Sequence, residues 1–281
     1  MKQSVRCARQ GWQSDLAGRI MFRALYEYRN YIISNAAGEL RYRYAGSSLG
    51  FFWNIVNPVL QIVVYTFVFS NIMKAKMDGI ESTSGFSLYL CAGMFAWISF
   101  QECVARGAGV YTECSSFLKK LPVPEYVFVA QKSLSSFLNC MISYIIIFFY
   151  SIVITKKISI SWVMVPVILL LLFLSGFGLA MFFAVANVYF QDTVQIVNVA
   201  LMIWMWMTPI VYVKTILPRQ LTGMIEQNPI YPFIDSLQQI IVRGQMPQIR
   251  QLLQMAVCAI VSVSIGYLVT KRNLSQIRDM I

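Results

Sequence analysis

Histidine is absent from the 281 residues, and acidic side chains are scarce, with 12 Asp and Glu against 23 Lys and Arg. Without imidazole the chain has no Ser-His or Cys-His nucleophile pair, no imidazole metal ligand and no histidine proton relay. The acidic residues fall in loops, in the N-terminal region or at the ends of apolar runs, and Glu102 comes nearest to membrane depth. Membrane enzymes and ion-coupled carriers usually need ionisable groups inside the bilayer. We therefore expect no catalytic residue, which argues against a membrane-bound transferase.

Motifs for cofactors and metals are also missing. There is no Gly-x-x-x-x-Gly-Lys-Ser/Thr loop, so the chain does not hold ATP by itself in that way. Six cysteines are scattered without a Cys-x-x-Cys pair, which predicts neither a metal site nor a disulfide framework. No apolar segment precedes Arg41, so we expect no cleavable signal peptide.

Long apolar runs dominate what is present. The chain is 58% hydrophobic and 12% charged, which predicts an all-α polytopic membrane protein with six transmembrane helices in one bundle. The predicted spans are residues 49–73, 86–105, 126–154, 162–188, 194–213 and 252–270. A net charge of +11 suits nucleic acid in a soluble protein, but here the charges flank apolar spans, so we expect membrane lipids and no nucleic acid as partners. A bundle without its own energy source indicates a subunit driven by a separate protein, or else a passive pore.

Two polar regions complete the predicted fold. Residues 1–45 form a cytoplasmic N-terminal region, in which 16–34 reads as an amphipathic helix in the membrane interface or as a small helix packed on a partner. Residues 46–281 form the six-helix transmembrane domain. The loop 214–250 carries a helical pattern near 233–242 and predicts short re-entrant or outer helices between spans five and six.

The charge distribution predicts the orientation. With the N-terminus inside, 15 of the 23 Lys and Arg lie in cytoplasmic segments and 8 lie outside. The positive-inside rule therefore places both termini in the cytoplasm.

One face of the first span is polar. Asn54, Asn57, Gln61 and Tyr65 are spaced i, i+3, i+7 and i+11, and Pro58 lies among them to kink the helix. Amides in a membrane are costly unless another helix or water satisfies them. These side chains therefore either bind neighbouring helices together or line a transport path.

Aromatic side chains extend this candidate path. Sugar rings stack on aromatic faces, and their hydroxyls bond to amides without any charge. The aromatic members of the predicted path are Phe51, Phe52 and Trp53 in the first span and Trp204 and Trp206 in the fifth. The alternative is that they face lipid or form interfacial belts.

Three stretches resemble a known family. RYRYAGSSLGFFWNIVNPVLQIVVYTFVF, from Arg41, resembles the first-span signature of the membrane subunit of polysaccharide- and O-antigen-exporting ABC transporters of the ABC-2 type. AVANVYFQDTVQIVNVALMIWMWMTPIVYV, from Ala184, is similar to that family's junction of spans four and five. NPIYPFIDSLQQIIVRGQMP, from Asn228, is similar to its outer loop before the last span.

The resemblance implies partners and a cargo. It implies a homodimer above two cytoplasmic ATP-binding subunits, which hold ATP and Mg while this chain binds no cofactor. The implied substrate is a lipid-linked glycan of O-antigen type, moved outward across the bacterial inner membrane. Capsular polysaccharide, teichoic acid, or a drug or lipid are the alternative cargoes on the same scaffold.

The resemblance also implies an ATPase-coupling element at residues 107–125, between spans two and three. Its candidate contact residues are Phe117, Leu118, Lys119, Lys120 and Pro122. The alternative for the two lysines is that they only fix topology. Two departures from the family pattern are the Gln191-Asp192 pair, where an Arg-Asp pair is common, and Leu121 to Glu125, where the family has a Phe-Pro-Arg-like sequence.

Overall fold

A computed structural model describes residues 21–72, 83–120, 123–156, 159–213, 223 and 225–280. Every regular element that these residues form is helical. The α-helices are α1 (Met21–Glu27), α2 (Arg29–Tyr42), α3 (Trp53–Thr66), α4 (Thr83–Ala108), α5 (Val110–Glu113), α6 (Ser115–Lys120), α7 (Glu125–Thr155), α8 (Met164–Tyr189), α9 (Thr193–Trp206), α10 (Tyr231–Arg243) and α11 (Ile249–Met280). Short 3-10 turns, Gly50–Phe52 and Ile160–Val163, lead into α3 and α8, and a π-helical segment, Phe67–Ile72, follows α3.

Five helical segments of the described residues are long and apolar enough to cross a membrane. They are Gly50–Phe69, Gly85–Ala108, Glu125–Thr155, Ile160–Tyr189 and Ile249–Leu274. These segments match the first, second, third, fourth and sixth predicted spans, because an apolar chain in lipid must satisfy its backbone within a helix.

The helix at the fifth predicted span is shorter than the prediction. Helix α9 has 14 residues and rises about 21 Å, less than the roughly 30 Å of a bilayer core. The prediction of a helix to Val213 is wrong because the Thr208 hydroxyl donates to the carbonyl of Trp204, at 3.0 Å, and Pro209 has no N–H to continue the ladder.

The N-terminal helix extends further than predicted. Of residues 16–34, those from 21 onward are described, and they form α1 and the first part of α2, with a turn at Tyr28 between the two helices. Helix α2 continues to Tyr42 because Ile32, Ala36 and Leu40, at i, i+4 and i+8, give it a buried stripe against α7. It is therefore packed on the bundle along this stripe, and its placement in the membrane interface stays a prediction.

Helix α4 lies at the centre of the bundle and packs against α3, α7, α8, α9 and α10. Its Trp97 and Phe100 side chains are fully buried in the main apolar cluster. Small residues let α4 and α8 approach closely, since a Cβ added to Gly107 of α4 would lie 2.4 Å from the Cβ of Ala180.

A second close crossing joins α8 to α11. A Cβ on Gly178 would lie 2.2 Å from the carbonyl carbon of Ser262, and one on Gly266 would lie 2.3 Å from the carbonyl oxygen of Gly178. Only glycine fits at these two positions, so the backbones of the two helices touch.

Helix α10 confirms the helical pattern predicted near 233–242. Its apolar side chains Phe233, Ile234, Leu237 and Ile240 are fully buried in the main cluster. The helix ends at Gly244, which adopts a φ of +66° and caps it in the left-handed conformation.

A second apolar cluster lies at one end of the bundle. It includes Met21 and Ile32 of α1 and α2, Leu118 of α6, Val123, and Ile277 of α11. The two ends of the described chain and the segment between α4 and α7 therefore lie together. This arrangement agrees with termini on one side of the membrane. We call the end of the bundle that contains this second cluster the terminal end.

Candidate functional site

The polar face of the first span points into the protein. The Asn54 side chain is buried, and its amide donates to the carbonyls of Phe51, at 3.0 Å, and Leu40, at 3.2 Å. The Asn57 amide donates to the hydroxyl of Tyr44 at 3.0 Å. The opposite side of α3 exposes only apolar side chains, namely Ile55, Val59, Leu60, Val63 and Val64. The helix therefore has a polar inner face and an apolar outer face.

A cavity of about 150 Å³ opens along this inner face. Its lining is mostly polar and comes from the segment after α2 and from α3, α4 and α7: Arg43, Tyr44, Trp53, Asn54, Asn57, Pro58, Gln61, Phe95, Ile98, Ser99, Glu102, Asn139 and Ser143. Amides, hydroxyls and one Arg–Glu pair converge here, so the cavity offers many hydrogen bonds and little net charge.

The structure divides the predicted path residues into groups. Trp53, Asn54, Asn57 and Gln61 line the cavity together. The side chains of Phe51 and Phe52 are exposed on the surface, and Tyr65 packs against the main apolar cluster farther along the helix.

The two tryptophans of α9 lie away from this cavity. Trp204 packs edge-on against Trp97 and Phe100, with ring centroids 6.0 and 5.9 Å away, and its Nε1–H donates to Asn228 Oδ1 at 3.0 Å. Trp206 is 60% exposed. Within one chain the predicted aromatic surface is therefore not continuous.

A charged network that the sequence did not predict adjoins the cavity at the terminal end. Arg43 contacts Glu102 at 2.8 Å, and Arg106 contacts Glu102 at 2.8 Å and also pairs with Glu39. Lys132 contacts Glu39 at 2.9 Å and Glu113 at 3.3 Å. Three cations and three carboxylates thus form one balanced chain of ion pairs, which we call the charged network.

The charged network connects separate parts of the fold. Glu39 belongs to α2, Glu102 and Arg106 to α4, Glu113 to α5 and Lys132 to α7. Arg43 and Glu102 also line the cavity. The ion pairs therefore form a continuous chain of contacts from α5 to the rim of the cavity.

The sequence contains only one local sign of this network. Glu102 and Arg106 are four residues apart on one helix, the spacing of an ion pair. The contacts of Glu39 join residues 67 and 93 positions away, so no local pattern could reveal them.

The segment between α4 and α7, which contains the candidate coupling residues, forms two short helices. Helices α5 and α6 are separated by Cys114. Leu118 anchors α6 in the second apolar cluster, whereas Phe117, Lys119 and Lys120 are exposed; Pro122 lies outside the described residues. Helix α6 therefore exposes one aromatic ring and two cations, while Leu118 holds it against the bundle.

Cys114 lies beside the charged network. Burial raises the pKa of its thiol, Lys132 opposes that effect, and Glu113 and Glu39 add to it. The thiol is therefore poorly ionised at neutral pH and a weak nucleophile.

Comparison with known proteins decides the family. The family model for the ABC-2 type transporter matches residues 31–242, which include the cavity, the charged network, α5 and α6. The chain belongs to the ABC-2 type transporter family. This ABC-2 protein is therefore a multi-pass membrane transport subunit, and membership implies an ATP-binding partner subunit.

Curated relatives of this ABC-2 protein carry one shared name. It is 28% identical over 243 residues to the O-antigen export system permease protein RfbA of Myxococcus xanthus, covering 86% of this chain and 91% of that protein. It is 26% identical over 211 residues to a protein of the same name from Klebsiella pneumoniae, covering 74% of this chain and 78% of that protein. The similarity extends over most of each chain and is not confined to one motif.

Proposed function

We propose that this ABC-2 protein is the membrane subunit of an ATP-driven exporter that moves a lipid-linked polysaccharide of O-antigen type across the bacterial inner membrane. The names of its relatives support the cargo class. The observation that carries the mechanism is the charged network, which joins the exposed segment α5–α6 to a cavity lined with amides. We infer from this connection to a surface segment a partner-driven transporter in preference to a passive pore.

The proposed assembly contains two copies of this chain and two cytoplasmic ATP-binding subunits, which hold ATP and Mg. The terminal end of the bundle faces the cytoplasm, with both termini there. Helix α9, extended by the turn after Trp206, makes the fifth of six passes, which brings α11 back to the side where α2 lies.

Coupling begins at α6. Closure of a soluble partner reaches the membrane only through a stiff element docked on it. Lys119 and Lys120 steer docking toward an acidic partner surface, Phe117 fills an apolar contact, and Leu118 holds the helix to the bundle. Movement of α5–α6 then pulls on Glu113, which Lys132 joins to the rest of the charged network.

The cavity provides contacts for sugar hydroxyls. Because Arg43 is paired with Glu102, the site is close to neutral and favours an uncharged polyol over a free anion. The amides of Asn57 and Gln61 offer both donors and acceptors at the wall. In the proposed homodimer, two such cavities lie along one path.

The docking role of α6 is tested by the double reversal Lys119→Glu/Lys120→Glu. We expect copurification with the ATP-binding subunit to weaken roughly tenfold, because attraction becomes repulsion, and export to fall with it. The matched control is Lys271→Glu/Arg272→Glu, which reverses two exposed cations near the C-terminal end of α11. If the α6 variant bound its partner and exported glycan as well as this control, the lysines would serve topology alone.

The role of the cavity is tested by Asn57→Leu and Gln61→Leu. A leucine side chain is stable in a membrane but cannot form a hydrogen bond with a sugar, so we expect slower export by complexes that assemble normally. Val59→Leu, on the exposed face of α3, is the control. Export at the control's rate by both amide variants would assign the amides to packing.

A further inference from the structure

A second, larger cavity lies elsewhere in the bundle. It is a groove of about 1240 Å³ between α8, α9, α11 and the segment that precedes α10. Its lining includes Leu179 of α8, Trp204 of α9, and Arg250, Leu253 and Val257 of α11. It shares no lining residue, among those described, with the polar cavity. The mechanism proposed above does not use it.

The groove has the length of one lipid leaflet. On α11 its lining extends from Ile249 to Ser262, and Ile249 is the first residue of a membrane-spanning segment. From Arg250 to Val261 the helix rises about 16 Å, which is half of a hydrocarbon core of about 30 Å. A groove of this length accommodates one acyl chain of a single leaflet.

The wall of the groove requires no polar ligand. Leu253 and Val257 are 62% and 59% exposed. Two polar groups of the wall are bonded within the protein: Ser175 donates to the carbonyl of Leu171 at 2.9 Å, and Trp204 donates to Asn228. None of the described lining side chains has a buried polar atom left without a partner. A hydrocarbon chain satisfies such a wall, whereas a sugar would leave its hydroxyls unpaired.

Among the described residues, the mouth of the groove carries one charge of each sign. Arg250 and Gln254 of α11 are exposed there, and Glu226 and Gln227 lie on the segment before α10. A purely anionic headgroup would meet the carboxylate of Glu226. A headgroup with a phosphate and a primary ammonium matches both charges. The Glu226 carboxylate has enough acceptor sites to bind an ammonium in addition to its existing contacts.

We propose that this groove binds one membrane phospholipid with a phosphoethanolamine headgroup. An acyl chain lies along α11 against Leu253 and Val257, the phosphate contacts Arg250, and the ammonium contacts Glu226. This proposal depends on insertion in a membrane and is independent of the exported cargo.

The test uses the purified full chain in nanodiscs that contain a photoreactive phosphatidylethanolamine. Val257→Trp fills the groove and is expected to lower labelling of α11 roughly tenfold. The control is Ile260→Trp, at an exposed position of the same helix that does not line the groove, and we expect it to label like the unaltered chain. Arg250→Gln and Glu226→Gln are each expected to lower the preference for phosphatidylethanolamine over phosphatidylglycerol.

Three results would overturn the proposal. Equal labelling of the Val257→Trp and Ile260→Trp variants would exclude the groove as the binding site. A phosphatidylglycerol probe that labels α11 as well as phosphatidylethanolamine would exclude the headgroup assignment. A Val257→Trp variant that loses self-association while lipid labelling is unchanged would assign the groove to a second copy of the chain. None of these measurements involves ATP or export, so failure here leaves the proposed function standing.

Discussion

Arg106 is the centre of the charged network, and its removal is the sharpest test of that network. Its guanidinium contacts Glu102 at 2.8 Å and pairs with Glu39, and the side chain is 27% exposed. The variant Arg106→Gln leaves three carboxylates with two cations, Arg43 and Lys132. One negative charge at a largely buried site is then uncompensated.

The expected loss follows from the two contacts. A hydrogen bond to a charged group contributes about 1.5–3 kcal/mol, and removal of one partner from a buried pair costs about 3–5 kcal/mol. Because a quarter of the Arg106 side chain is exposed, solvent screening lowers the figure to about 3 kcal/mol. The double variant Arg106→Gln/Glu102→Gln restores charge balance, so its loss should be smaller than the sum of the two single losses.

Two measurements check this prediction. Unfolding of the purified protein in mixed micelles gives the free-energy change, and the assembled complex gives the ratio of glycan exported to ATP hydrolysed. We expect Arg106→Gln to lower that ratio, because motion of α5 no longer reaches the cavity. The control is Arg23→Gln, whose pair with Glu27 is exposed and is expected to contribute little. An Arg106→Gln variant as stable and as well coupled as this control would refute the proposed role of the network.

Two further predictions concern packing and reactivity. Gly178→Ala should cost about 1–3 kcal/mol of stability, because the new Cβ meets the backbone of α11. Gly38→Ala should gain about 0.5–1 kcal/mol, because no described atom lies within 4 Å of the new Cβ. Equal stability of the two variants in the same unfolding assay would contradict the close crossing. Burial raises the pKa of Cys114, so maleimide should label it more slowly at neutral pH than a thiol introduced by Lys119→Cys, and the difference should narrow as the pH rises. A Cys114 that reacts as fast as that exposed thiol at neutral pH would show that the environment of Cys114 is wrongly assigned.

Local patterns in the sequence located most of the helices. Apolar runs of 20 or more residues form the long membrane segments, since backbone groups in lipid must bond within a helix. The spacing of Asn54, Asn57 and Gln61 correctly indicated a polar face turned away from lipid, because unpaired amides are costly there. Hydropathy alone placed the end of the fifth helix too late in the chain, because Val211 and Val213 are apolar although they follow the helix break at Pro209.

Tertiary structure alone decided which distant residues meet. The ion pairs of Glu39 and the contact of Gly178 with α11 join positions many tens of residues apart, and neither leaves a periodic signal in the chain. Trp204 shows the same limit, since no local pattern reveals that its ring packs against Trp97 and that its Nε1–H donates to Asn228. The sequence by itself determined the helical membrane fold, because hydropathy and backbone hydrogen bonding act locally. Where the charges pair and where the cavities open depended on how the helices pack, which is a property of the assembled bundle.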